Sequence, residues 1–169
     1  MPIRQQEMDN TSILQDISRH LAKSGQTIAV AESVTSGDVQ SAFSLAKDAL
    51  QFFQGGITVY NITQKVRHLH VDPIHALSCN CVSNIIAEEM AKNVIKLFTS
   101  DWGIGVTGYA SPVPEKGVEE LFAFMAIYYK EECKLSATLF AEKQDPGIVR
   151  QFYTHQILLH FSNTLEKCP

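Results

Sequence analysis

The sequence has no surplus of basic residues, no long apolar run and no cysteine framework. Its 169 residues carry 14 Lys and Arg against 18 Asp and Glu, a net charge of −4, with the acidic residues scattered along the chain. General nucleic-acid binders concentrate positive charge on one face, so no nucleic-acid partner is expected. A small basic pocket can still hide within an acidic average, which leaves room for a phosphorylated small molecule. No apolar stretch approaches the roughly 20 residues of a membrane span, so no membrane partner is expected. Met1 to Asn10 is polar and lacks the apolar core of a signal peptide. These absences point to the cytosol, and the short polar termini read as those of a stand-alone chain. The four cysteines are Cys79, Cys81, Cys133 and Cys168. Cys79 and Cys81 form a C-x-C pair with no second pair at metal-ligand spacing, so reduced thiols in or near the core are expected, with no metal and no cofactor. His68, His70 and His75 read as exposed or turn residues, because positions two apart on a helix do not share a face.

What is present is ordinary globular patterning, with 45% hydrophobic and 19% charged residues. Ile13, Leu14, Ile17 and Leu21 repeat at helical spacing over Thr11 to Lys23, with Asn10 or Thr11 as cap and Gly25 as stop. Thr27 to Ala31 reads as a buried strand. It runs into the small, polar stretch Glu32 to Gly37 and then a helix to about Ala46. A second strand spans Gly56 to Tyr60, a helix-compatible stretch runs from Asn61 to Leu69, and Pro73 breaks the pattern. Ser83 caps an amphipathic helix through Phe98, with Ile86, Met90, Val94 and Leu97 on one stripe. Trp102 to Thr107 is a third strand. Leu121 to Tyr129 and Leu135 to Ala141 form a hairpin around Lys130-Glu131-Glu132, and Ile148 to Leu165 is a closing helix. Trp102 and the Phe52-Phe53 pair read as core or dimer contacts. The order α-β-α-β-α-α-β-β-β-α predicts an α/β domain, a mixed sheet sandwiched between helices, over residues 1–169.

Three residues could carry chemistry: Ser33 in the loop after the first strand, Tyr60 ending the second, and Lys65 five residues on. A serine needs a base to remove its proton. Lysine can serve where its surroundings depress its pKa, since an ordinary lysine is neutral roughly once in two thousand molecules at pH 7. On residue chemistry alone, however, a loop serine, a strand-end tyrosine and a helix lysine more often serve structure or solvent.

The ordered motifs change that weighing. Ala31-Glu32-Ser33-Val34-Thr35-Ser36-Gly37 is followed by Gly55-Gly56-Ile57-Thr58-Val59-Tyr60 with Lys65 beyond it. Then come Val82-Ser83 with Glu89-Met90-Ala91, Thr107-Gly108-Tyr109-Ala110-Ser111-Pro112, and Arg150 opening the last helix. In order and spacing, over roughly residues 10 to 165, the chain resembles the CinA C-terminal domain family, the nicotinamide mononucleotide deamidases. The resemblance implies a three-layer α/β fold and an amidohydrolase needing no cofactor, acting on nicotinamide mononucleotide or a related amide nucleotide. It places the nucleophile on Ser33, the base on Lys65 and an assisting tyrosine on Tyr60. Substrate contacts fall on Glu32, Thr35, Gly37, Gly56, Thr107, Gly108 and Arg150, with N–H groups near Thr35 and Gly37 as oxyanion donors. Glu32 could orient Lys65 or a ligand hydroxyl, or serve a helix terminus instead. Homo-oligomerisation is a further expectation from the resemblance.

The chain departs from the family pattern in the ligand loops. Ser36 and Ser111 stand where the family has glycine, Val113 to Gly117 is shorter and stiffened by proline, and Asp145 aligns with a family arginine. Two readings follow: amidase chemistry kept on a different or less phosphorylated relative of nicotinamide mononucleotide, or a degenerate, non-catalytic nucleotide-binding or protein-interaction homologue.

Overall fold

The computed structural model describes residues 9–168. Its centre is a five-stranded sheet in the order β2-β1-β3-β4-β5, built from Ile28–Glu32 (β1), Phe53–Thr58 (β2), Trp102–Gly108 (β3), Leu121–Tyr129 (β4) and Glu132–Ala141 (β5). β2 and β3 both run parallel to β1, on either side of it, while β3, β4 and β5 pair antiparallel. The carboxyl ends of the three parallel strands therefore open side by side, with β1 in the middle. In open α/β sheets such ends are where ligands bind. The mixed sheet between helices expected from the element order is the fold observed.

The helices divide between the two faces. Thr11–Ser24 (α1), Asp38–Ser44 (α2), Ala49–Phe52 (α3) and Pro146–Lys167 (α7) cover one face, closing a core around Phe43, Phe52, Trp102, Tyr153 and Phe161. Ile62–Leu69 (α4), Pro73–Ser78 (α5) and Asn84–Phe98 (α6) cover the other, over Ala29, Ala31, Ile86 and Met90. α1 ends where Gly25 turns left-handed at φ 67°, as a glycine after the last helical turn allows. The Asp9 carboxylate accepts the Thr11 N–H at its start, while the Asn10 side chain meets His155 instead.

Pro73 opens a helix rather than breaking one. It sits in the first turn of α5, where a missing N–H costs nothing, and the Asp72 carboxylate accepts from Ile74 N–H. α3 is a single turn, too short to leave a periodic signal. The hairpin strand β5 begins at Glu132, three residues before the apolar run, because Glu132 pairs with Tyr129 across a turn in which Lys130 takes φ 54°. The stripe on α6 is also rotated from its expected centre. Ile86, Met90 and Val94 are buried, but Leu97 is 49% exposed and the inner face is completed by Ala87, Ala91 and Ile95.

That rotation has a steric cause. Gly103 and Gly105 of β3 face α6 so closely that a Cβ on Gly103 would lie 2.2 Å from the Ala91 carbonyl oxygen, and one on Gly105 2.2 Å from that of Ala87. Glycine on the strand and alanine on the helix let α6 settle directly over β3, with β4 on one side and β1 on the other, which fixes the turn preceding α6 beside the strand ends. Gly105→Ala is predicted to lower stability by about 1–3 kcal/mol through overpacking against helix backbone. A urea unfolding curve showing an unchanged midpoint would contradict this contact.

Candidate active site

β1 delivers Glu32 and Ser33 to the sheet's carboxyl edge, and the Glu32 side chain shapes everything that follows. Its buried carboxylate accepts the Thr35 hydroxyl at 2.5 Å, the N–H groups of Gly37 and Val39 at 3.1 Å each, and that of Gln40 at 2.7 Å. A negative charge at the α2 N-terminus satisfies backbone donors that the helix cannot pair itself and complements its dipole. Of the two roles open to Glu32, this is the helix-terminus one. The loop is wound tightly around it, with Ser36 at φ 53° and Gly37 at φ 103°.

Lys65 reaches the same point from the opposite face. Asn61 caps α4, its side chain accepting the Gln64 N–H at 3.0 Å, which sets the register that turns Lys65 inward. Lys65 Nζ lies 3.0 Å from Ser33 Oγ, and the two residues are 2% and 7% exposed. Among the described residues Lys65 makes no ion pair with a carboxylate. Burial lowers its pKa below the ordinary 10.5, since the ammonium form is the one that loses solvation, and the nearby Cys81 opposes this only in part. Burial also raises the Cys81 thiol above its ordinary value. Both groups are driven toward their neutral forms, so a thiolate–ammonium pair is disfavoured here.

Around the pair is an open cavity of about 670 Å³. Ser33, Tyr60, Lys65, Thr107, Gly108 and Arg150 all line it. Tyr60 lies two residues past β2 and is 67% exposed at the rim. The Thr107 hydroxyl is committed to the Cys81 carbonyl at 2.7 Å. Arg150, on the first turns of α7, sits 4.0 Å from Asp38. Another cavity of about 700 Å³, between α1 and α2, contains none of these residues. Its size does not make it the reactive site, because it lacks the serine–lysine pair, and the displaced carboxyl on its wall, Asp9, is exposed and lowered only by its hydrogen bonds from Thr11.

Four expected site residues do not line the cavity. Glu32 and Thr35 are turned into the loop, Gly37 donates its N–H to Glu32, and Gly56 is locked within β2. A Cβ at Gly56 would meet the Val30 carbonyl oxygen at 2.6 Å, so glycine there serves strand and helix packing. The expectation that the Gly37 N–H is free to stabilise an oxyanion is corrected by its bond to Glu32. Asp145 is the cap of α7, accepting the Gly147 N–H at 2.8 Å, and does not reach the cavity. Residues the sequence reading passed over also line it: Val34, Asn80, Cys81, Tyr109 and Lys116. The C-x-C spacing drew notice to the neighbourhood of Asn80 and Cys81, but it read as reduced thiols in or near the core rather than as cavity wall.

An open α/β sheet with a buried serine–lysine pair at its strand ends defines the class. Residues 10–165 match the CinA C-terminal domain, and the chain belongs to that family. It is 41% identical over 93 residues to a CinA-like protein of Prochlorococcus marinus, covering 54% of this chain and 22% of that protein. It is 32% identical over 105 residues to a CinA-like protein of Trichodesmium erythraeum, covering 62% of this chain and 25% of that one. The match therefore spans about a quarter of the length of these relatives. The crystal structure of competence damage-inducible protein A (ComA) from Klebsiella pneumoniae superposes with a TM-score of 0.89 at 22% identity, over 95% of this chain and 99% of the other. At that identity the likeness concerns the fold alone.

Two predictions follow from the geometry. Ser36 holds a left-handed conformation that disfavours a side chain, so Ser36→Gly is predicted to stabilise by about 1 kcal/mol in thermal unfolding. Lys65→Met is predicted to raise Tm at neutral pH, because it removes a cation that burial penalises. The sign fixes the pH window. The penalty is full below the lowered folded-state pKa, shrinks as pH rises through it, and vanishes near the ordinary 10.5. A Tm advantage that persists unchanged to high pH would contradict it.

Proposed function

We propose that the cavity is the active site of an amidohydrolase that deamidates nicotinamide mononucleotide or a related amide nucleotide. The observation that supports this most is the buried 3.0 Å contact between Lys65 Nζ and Ser33 Oγ, in a setting that favours the neutral amine. A neutral amine has a lone pair to accept the serine proton, which a solvated ammonium lacks.

Ser33 Oγ attacks the carboxamide carbon as its proton passes to Lys65. The carbonyl oxygen becomes an oxyanion. Val34 lines the cavity directly after Ser33, and its N–H has no acceptor among the described residues, which makes it the donor best placed to stabilise that charge. Collapse of the tetrahedral intermediate breaks the C–N bond, and the proton held by Lys65 leaves with ammonia. Tyr60, at the rim, is the alternative donor for that step. Water then adds to the Ser33 ester, with Lys65 again taking the proton, and the carboxylate product and free serine are released. Arg150 supplies a cation on the cavity wall for an anionic part of the substrate.

The test is ammonia release from nicotinamide mononucleotide by purified protein and by Ser33→Ala. Turnover is expected in the former and a loss of at least about a thousandfold in the latter. In the active protein, kcat/KM is expected to rise tenfold per pH unit below the Lys65 pKa and level off above it, since only the neutral amine is competent. Absence of ammonia at high enzyme concentration would sink the deamidase. Nucleotide binding without turnover would instead point to a non-catalytic binding role.

A further inference from the structure

A second group of polar residues meets on another wall of the same cavity, and the Ser33–Lys65 chemistry makes no use of it. Asn80 lies in the turn between α5 and α6, at φ 53°, and Cys81 follows at φ 59°. Two successive non-glycine residues in the left-handed region are disfavoured, and they persist here because the surroundings fix them. Cys81 N–H donates to Ala76 O at 2.8 Å, Val82 N–H to Cys79 O at 3.0 Å, and the Thr107 hydroxyl to Cys81 O at 2.7 Å. So held, the turn places the Asn80 amide between two cavity-lining side chains from the loop after β3. Lys116 Nζ donates to Asn80 Oδ1 at 2.5 Å, and Asn80 Nδ2 donates to the Tyr109 hydroxyl oxygen at 3.0 Å.

The donor inventory settles the direction of every bond. An ammonium can only donate, so the amide oxygen must face Lys116 and the amide NH₂ must face Tyr109. The Tyr109 oxygen is thereby the acceptor, and its own proton is left for something else. Lys116 likewise keeps further N–H donors and enters no ion pair among the described residues. The Tyr109 backbone is anchored from below, its carbonyl accepting the buried Tyr153 hydroxyl at 2.9 Å, and its ring packs edge-on against Phe122. The result is one cation and one neutral O–H donor, tied together by a single amide, on the wall of a cavity that also contains Arg150.

We propose that Lys116 and Tyr109 form an anion subsite, set by Asn80 as positioning residue, that takes the phosphate of a mononucleotide substrate. This deepens the amide-nucleotide reading of the cavity and rests on it. A phosphate dianion offers several acceptor oxygens at once, which suits two convergent donors of which one is charged.

The experiment is calorimetric titration of the full chain with nicotinamide mononucleotide and with its unphosphorylated riboside. It is run on the wild type, Asn80→Gly and Lys116→Met. Glycine accepts the left-handed turn, so Asn80→Gly deletes the amide while leaving the backbone conformation favourable. Lys116 is exposed, so its replacement removes the cation without opening the core. The wild type is expected to bind the mononucleotide at least tenfold more tightly than the riboside. Both variants are expected to weaken mononucleotide binding by roughly 10- to 100-fold, the worth of one charge-assisted hydrogen bond, and riboside binding by less than about twofold. A wild type with no preference for the phosphorylated ligand, or variants that lose both ligands equally, would overturn the subsite. The readout does not depend on turnover. Discrimination without ammonia release leaves the subsite standing and removes the deamidase, whereas turnover with an undiminished preference in Asn80→Gly does the reverse.

Discussion

The Glu32 carboxylate is the contact on which the site depends. It is buried, and it gathers three backbone N–H groups and one hydroxyl from the next eight residues. Without that acceptor, the first turn of α2 would bring unpaired donors into the interior, each costing on the order of 1–3 kcal/mol. With it, the chain leaving β1 folds back at once, and Ser33 is held at the carboxyl edge of the sheet instead of being carried off along a longer loop. The strained Ser36 is the local consequence of winding so short a segment around one carboxylate. Lys65 arrives by an independent route, through β2 and the capped start of α4, so the pair is assembled from opposite faces of the sheet.

The cavity is divided electrostatically. Near Ser33, burial favours neutral groups: the Lys65 amine and the Cys81 thiol are both displaced toward uncharged forms. Nearer solvent, Lys116 is exposed and Arg150 half-buried, where charges are cheap to keep. In the proposed mechanism this division separates the two tasks of an amide-nucleotide enzyme. A base must shed its charge to act, while an anion subsite must retain it. A net charge of −4 gives no hint of such a basic wall, since two cations placed by loops vanish in an average over the whole chain.

Much of the architecture was legible because long elements announce themselves. The stripe Leu14, Ile17 and Leu21 and the stop at Gly25 outline α1, and Ser83 caps α6 as expected, its hydroxyl accepting the Ile86 N–H at 3.2 Å. α3 and α5, at four and six residues, are shorter than the window in which periodicity can be heard. Asp72-Pro73 is a helix-start signal that the breaking role of proline concealed. The positions of Ser33, Tyr60 and Lys65 were legible from ordered motifs, and the structure brings all three to one cavity. The roles of Glu32 and Gly56 were not, because a motif residue can serve a loop or strand packing as readily as the ligand. Asn80, Tyr109 and Lys116 were hidden for a different reason. Their chemistry exists only across sequence separations of 29 and 36 residues, and nothing local marks an asparagine as the hinge between two distant donors.

The central claim is that Lys65 sits in surroundings that make it a base. The most direct measurement is an NMR titration following the side-chain Cε resonances of lysines labelled with carbon-13, with Lys65 assigned through Lys65→Met. The account predicts one lysine resonance, absent in that variant, titrating clearly below the ordinary 10.5 while the exposed lysines titrate together near it. A Lys65 resonance that titrates with the rest, or above them, would contradict the account and leave Ser33 without its base.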